Sequence, residues 1–375
     1  MTPKERVKSA MDLQFPDKIP LMCQFSFGHM LLQLNISPVE FWFDKSAFAE
    51  GLIKLRNIYD FDGILISLHG HNPAWKDLIL SYENNDGKEV AKLHNGDKII
   101  FPGDDLPQYV FSKRKSLPVL NEISIDDLPV TLDYIPVSRD LHFQISLSNK
   151  FDVIYDIVEK AGGNYSIHGE ITSPFDYLLD LLGNQEALMG LIENPDKCKM
   201  ILAQYTKLIK ELALEMCETG VDAIKVSSPF AGSGFISPYD YEEFVVPFEA
   251  EIAKAVRNKD VHIYTHTCGS IDDRLEIMLD AGVSGIECLD PPPLGNVELS
   301  DAVERIKNKG FIKGNIDSVN SLLNASKEDI VEDAKNRIQT GKQSPGFILS
   351  TACSIAPAVK KENILLLRET VNKWG

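Results

Sequence analysis

Eight short apolar runs, separated by longer stretches of helical period, constrain this chain more than any other feature of its sequence. They are IPLMCQFSF (19–27), GILISLH (63–69), YSIHGEI (165–171), VDAIKVSSPF (221–230), VHIYTHTC (261–268), VSGIECLD (283–290), FIKGNID (311–317) and FILSTAC (347–353). Between most of them lie amphipathic stretches such as 194–220 and 237–258, each closing near Gly or Asn before the next run. Strand-like runs alternating with helices predict an α/β fold, a (β/α)8 TIM barrel. A chain of 375 residues accommodates it as one domain over 1–375.

The alternation fails between about 80 and 145. There the dipeptides Asp86-Gly87 and Asn95-Gly96 separate alternating strand-like pieces, followed by the Pro-rich connection 115–140. Such turns predict a β-hairpin or meander inserted after the second strand, serving as a lid, a partner surface or a decorated loop.

Charge and composition exclude several function classes. A formal net charge of −17 opposes phosphate-backbone binding, so nucleic acid is not an expected partner. No run approaches a membrane span, and the start MTPKERVKSAMDLQF lacks the apolar core of a signal peptide, so a cytoplasmic protein away from membranes is expected. The six cysteines are scattered rather than densely paired, which argues against a disulfide framework. Cys23, Cys198, Cys217 and Cys288 fall in helical or strand-like segments and read as small core hydrophobes.

The other two cysteines fall elsewhere. Cys268 follows His266 by two residues at the end of the fifth run, so both side chains leave the strand on one side, and Cys353 ends the eighth run. In a barrel these strand ends share the rim where active sites sit. An imidazole and two thiolates suit Zn²⁺ with a fourth position left for a carboxylate, water or substrate. Glu170, at the end of the third run, is the first choice for that fourth ligand and for a catalytic carboxylate; Glu287 is the second choice, or a structural partner of a helix. Asn315 and Asp317 end the seventh run and either orient substrate or make a turn. His69 and His71 flank Gly70 after the second run, as pocket residues or ordinary hydrogen-bonding histidines. No Walker sequence, G-x-S-x-G, H-E-x-x-H or G-x-G-x-x-G follows a strand, which removes the nucleotide, hydrolase and dinucleotide readings. Asp140 and His142 match the start of a cobalt-ligating Asp-x-His-x-x-Gly loop, but its glycine is missing.

The segments PKERVKSAMDLQFPDKIPLM, GEITSPFDYL, VDAIKVSSPFAGSGFISPYDYEEFVVPF, KGNID and FILSTACSIAPAVKKENILLLRETV together resemble the uroporphyrinogen decarboxylase superfamily over nearly the whole chain. Decarboxylases of that family carry an R-Q-A-G-R segment after the first strand and an aspartate after the second. Here CQFSFGHM stands at the first place and Leu68-His69 at the second. The corrinoid-dependent methyltransferase branch instead carries H-x-C and a distant Cys, which match His266, Cys268 and Cys353. By that resemblance these three bind zinc, and the barrel docks a separate corrinoid protein carrying the cobalamin.

The resemblance implies methyl transfer in one of two directions. Zinc either holds a thiol as a nucleophile toward methyl-cobalt(III), as in coenzyme M-type methyltransferases, or polarises an ether oxygen while cobalt(I) takes the methyl. Phe25, Phe27 and Met30 at the tail of the first run, with the histidines after the second, favour an O-demethylase component acting on a methoxyaromatic donor. Expected partners are the corrinoid-binding protein, the small donor and a second copy in a homodimer. Decarboxylation of uroporphyrinogen and a barrel that binds metal or tetrapyrrole without turnover are the remaining alternatives.

Overall fold

In the computed structural model, which describes residues 1–85, 88–113 and 116–375, seven of the eight expected runs form one parallel sheet. The strands are β1 (Gly63–Ile66), β8 (Ser166–Thr172), β9 (Ala223–Ser227), β10 (His262–Thr267), β11 (Gly285–Cys288), β12 (Phe311–Ile316) and β13 (Phe347–Thr351), hydrogen-bonded in that order. Helices follow each strand, so the sheet is covered outside and its strands are buried almost throughout. The result is an α/β fold with a curled parallel sheet. The Pro195–Cys217 helix shows the pattern that drives it: Ile201, Leu202, Tyr205, Leu208, Ile209, Leu212 and Met216 are buried at helical spacing. Several helices start at a Ser-Pro step, with Ser37, Ser173 and Ser237 each accepting a backbone N–H at the third helical residue.

The first run is the exception. Residues 19–27 form no continuous strand and meet β13 and the segment after it through isolated bridges, Leu21 with Leu349 and Phe25 with Ile355. The backbone N–H of Met22 donates to Leu349 O at 3.0 Å, and on the other side Asp62 N donates to Leu21 O at 2.8 Å. Asp62, buried just before β1, replaces part of the missing ladder. Its carboxylate accepts from Leu21 N, from Arg6 Nη1 and from Arg368 Nη2, which ties the first and last helices to this seam.

Between β1 and β8 the chain builds two antiparallel sheets. One joins β2 (Ile79–Asn85), β3 (Lys88–Leu93), β4 (Lys98–Phe101) and β5 (Gln108–Val110); the other pairs β6 (Tyr134–Ser138) with β7 (Leu141–Gln144). Asn95-Gly96 makes a turn between β3 and β4, with Gly96 at φ 89°, a conformation that favours glycine. The expected Asp86-Gly87 turn lies outside the described residues. Glu89 of β3 accepts from Ser37 Oγ and Val39 N, which fastens this sheet to the helix Pro38–Phe43.

Inside the curled sheet the side chains stack in levels. Met22, Ala223, Tyr264, Phe311 and Ile348 pack with Val7, Ala10 and Met11, so the N-terminal helix (Pro3–Met11) plugs one end with apolar groups. The next level toward the strand ends is polar, and it leads to the site. Behind β9 and β10, two fully buried carboxylates raise a separate point. Burial pushes Asp176 up to about 8 and Glu249 up to about 7, against the hydroxyls of Ser173, Ser228 and Thr265. These groups keep protons in the fold that the unfolded chain releases near the ordinary values of 3.8 for Asp176 and 4.5 for Glu249, so their contribution to stability is lost as pH rises toward 8. Glu249→Gln is expected to leave stability unchanged below about pH 4.5 and to raise it by about 3 kcal/mol at pH 8, read from denaturant melts across that range.

Candidate metal centre

The strand ends of β10 and β13 meet where two short motifs were expected to converge. The ligand atoms of His266, Cys268 and Cys353 all lie within 4.8 Å of one another. Cys268 Sγ is 3.7 Å from Cys353 Sγ, and His266 Nε2 is 3.3 Å from Cys268 Sγ. A disulfide needs about 2.05 Å, so the thiols are free. A tetrahedral zinc with ordinary bond lengths sets two sulfurs about 3.8 Å apart and a nitrogen about 3.5 Å from each. The donor set and its spacing therefore fit zinc. Hydrogen bonds from Cys288 and Cys353 hold the Cys268 thiol far below the usual thiol range. The same interaction, followed by burial, pushes Cys353 up.

His266 is fixed from behind. Its Nδ1 faces Glu287 Oε2 at 2.9 Å, which leaves Nε2 turned to the thiols. This is the arrangement by which a carboxylate sets the tautomer and direction of a metal-binding imidazole. Register explains the contact: His266 of β10 lies beside Glu287 of β11, which lies beside Lys313 of β12. Lys313 Nζ donates to Glu287 Oε1, and Lys225 Nζ lies 3.7 Å from Oε2. Burial opposes charge on Glu287, but the two lysines and His266 outweigh it and hold the carboxyl well below the usual range. For His266, burial is likewise overcome by the Cys268 thiolate, and its value rises to about 9.

Glu170 is placed differently from expectation. It pairs with Lys225 at 3.2 Å, in register across β8 and β9, and does not fall in the group of His266, Cys268 and Cys353. Lys225 also donates to Gln24 Oε1 at 2.9 Å. Glu287, the second choice for a ligand, acts instead through His266. Asn315 does not face a pocket: its Nδ2 donates to Leu289 O at 2.9 Å and its Oδ1 accepts from Arg337, so it joins β12 to the helix Lys327–Gly341. Asp317 accepts from Val319 N, Asn320 N and Asn320 Nδ2, the turn chemistry that the sequence allowed. His69 is fully buried with Nδ1 on Lys150 O at 2.7 Å and Nε2 without a partner; burial lowers it to about 4, so it is neutral near pH 7. His71 is buried against Phe48 and Phe143.

Of the three first-run residues expected to favour an aromatic donor, two are buried and Phe25 is partly exposed. Phe25 stacks on His29 and Phe61, Phe27 packs against Phe41 and Trp42, and Met30 is in the core. Two residues that the sequence did not single out stand beside Cys268 instead. Cys288, expected as a small hydrophobe, and Asp290 form a second ligand-type group with it. Their signal in the sequence was a Cys-x-Asp at a strand end, the same spacing as His-x-Cys.

The family model for uroporphyrinogen decarboxylase (URO-D) matches residues 110–374. The "Methylcobamide:CoM methyltransferase MtbA" of Methanosarcina acetivorans is 24% identical over 380 residues, covering 100% of this chain and 98% of that protein. A uroporphyrinogen decarboxylase of Prochlorococcus marinus is 25% identical over 252 residues, covering 64% of this chain and 68% of its own. Among solved structures, a "methyltransferase from Methanosarcina mazei" superposes with a TM-score of 0.74 at 19% identity, covering 100% of this chain and 99% of that one, which establishes a shared fold.

Proposed function

The chain belongs to the uroporphyrinogen decarboxylase family, and we propose that within it this protein is a zinc-dependent methyltransferase working with a separate corrinoid protein. One observation carries the reading: His266, Cys268 and Cys353 converge at the strand ends with zinc spacing. The full-length relationship to methylcobamide:CoM methyltransferases supports it, and the loss of the arginine segment after the first strand counts against tetrapyrrole decarboxylation.

His266 Nε2, Cys268 Sγ and Cys353 Sγ would hold the metal, and zinc when bound supplies a Lewis acid that keeps a substrate thiol ionised near neutral pH. The chain does the rest by position. Glu287 aims His266, and Lys313 and Lys225 keep Glu287 charged in a dry interior. Because Phe27 and Met30 are buried in the core and only Phe25 keeps partial exposure, the preference for a methoxyaromatic donor loses most of its support. A thiol acceptor of a corrinoid-borne methyl group is the better reading.

The test is a corrinoid spectrum. The zinc-loaded protein, mixed with methyl-cobalt(III) carrier protein and small thiols, is expected to discharge the methyl-cobalt absorption and yield a methyl thioether. Methylation of cobalt(I) from methoxyaromatics with no thiol reaction would move the assignment to O-demethylation, and consumption of uroporphyrinogen alone would return it to decarboxylation.

A further inference from the structure

Cys268 belongs to two ligand groups. Besides His266 and Cys353, it stands with Cys288 and Asp290, and the ligand atoms of that second trio also lie within 4.8 Å of one another. We propose that Cys268, Cys288 and Asp290 form a second site for a soft divalent cation, next to the first, with the Cys268 thiolate shared between the two ions.

Backbone geometry brings Cys288 to this position. Glu287 faces the barrel interior, so simple alternation along β11 would send Cys288 to the opposite side. Cys288 instead takes φ 90° and Leu289 follows at φ 55°, both in the left-handed region that residues with a Cβ rarely adopt. The turn leaves the Cys288 thiol donating to Asp290 Oδ2 at 3.2 Å. Such conformations persist where the surroundings impose them, and they concentrate at functional sites.

Asp290 is held as firmly. Gly269 N, one residue beyond Cys268, donates to its Oδ2 at 2.7 Å. Gly295 closes over it so tightly that a Cβ there would lie 2.3 Å from Asp290 O and 2.7 Å from its Cβ. Cys288 is fully buried and Asp290 is 5% exposed, so a thiol and a carboxyl group sit out of water beside the Cys268 sulfur. A buried thiol and carboxyl packed this closely share a proton, as the Cys288–Asp290 hydrogen bond shows, or hold a cation in its place.

Softness points to the kind of ion. A bound cation would take the place of the proton on the Cys288 thiol, as thiol ligands release theirs to a metal, and the five side chains then supply donors for two ions. Two thiolates and one carboxylate suit zinc or cadmium over magnesium or calcium.

The test counts metal. The protein is stripped with a chelator, reloaded with Zn²⁺ or separately with Cd²⁺, freed of excess and analysed for ions per chain. Two ions are expected in the wild type, one in Cys288→Ser, Asp290→Asn or Cys353→Ser, and none in Cys268→Ser. A single ion in the wild type overturns the proposal, as does a count of two in Asp290→Asn, the variant that decides if Cys288→Ser fails to fold. The count is separable from the methyl-transfer reading: an inactive protein that holds two ions supports the second site, and an active one that holds a single ion overturns it.

Discussion

Cys268→Ala is expected to strip the protein of metal and of methyl transfer together, while the metal-free fold survives. Cys268 lies 3.3 Å from His266 Nε2 and 3.7 Å from Cys353 Sγ and is the residue common to both ligand groups, so its loss removes a donor from each. Changes one shell further out usually cost metal sites about 10–100-fold in affinity or activity, and loss of a direct ligand should exceed the upper end of that range. Fold survival follows from the core. The apolar cluster runs from Ile19 to Val371 in the last helix without using Cys268. The variant should therefore melt near the metal-free wild type, since bound metal adds stability only through mass action. Cys198→Ala, a buried cysteine in the helix Pro195–Cys217, is the control that should keep its metal. Elemental analysis with paired melts checks both, and full metal occupancy in Cys268→Ala would remove the assignment.

What the sequence revealed, and what it hid, follows from which properties are periodic. Parallel strands covered on both faces must be apolar throughout, so β8 to β13 were visible as runs, and with them the strand-end places of His266, Cys268 and Cys353. The 19–27 run is equally apolar but is held by Asp62, Arg6 and Arg368, distant residues whose meeting no local pattern announces. Glu287 was noticed, yet its duty toward His266 depends on lateral register between β10 and β11. Cys288 is buried, as its place in an apolar run suggested, but its nearness to Cys268 follows from the positive φ values at Cys288 and Leu289, which no local pattern announces. Asn315 was read from its strand-end position as orienting substrate or making a turn, and its partners are Leu289 O and Arg337. Strand ends concentrate function, but only the backbone there decides which way each side chain turns.

Glu287→Gln is expected to damage both stability and metal binding, and a second substitution separates the two. Lys225 and Lys313 are fully buried, and Glu287 is the carboxylate they share. Neutralising it leaves Lys225 with Glu170 and Gln24, and leaves Lys313 over the face of Tyr264 without its carboxylate. Breaking a buried charge pair in this way costs about 3–5 kcal/mol, whereas removing both partners is nearly neutral. Glu287→Gln combined with Lys313→Met should therefore recover most of the lost stability. Metal affinity should not recover with it: an amide oxygen can still accept from His266 Nδ1 but carries no charge to strengthen the imidazole, so both variants should bind metal about 10–100-fold more weakly. The acid side gives a further check. Glu287 is held well below its ordinary 4.5, so its contribution is present above that pH and lost as pH falls through the folded value. Metal-free wild type and Glu287→Gln should thus differ by a constant amount above about pH 4.5 and converge below it. Equal recovery of stability and metal affinity in the double variant would show that Glu287 serves only the fold and does not position His266.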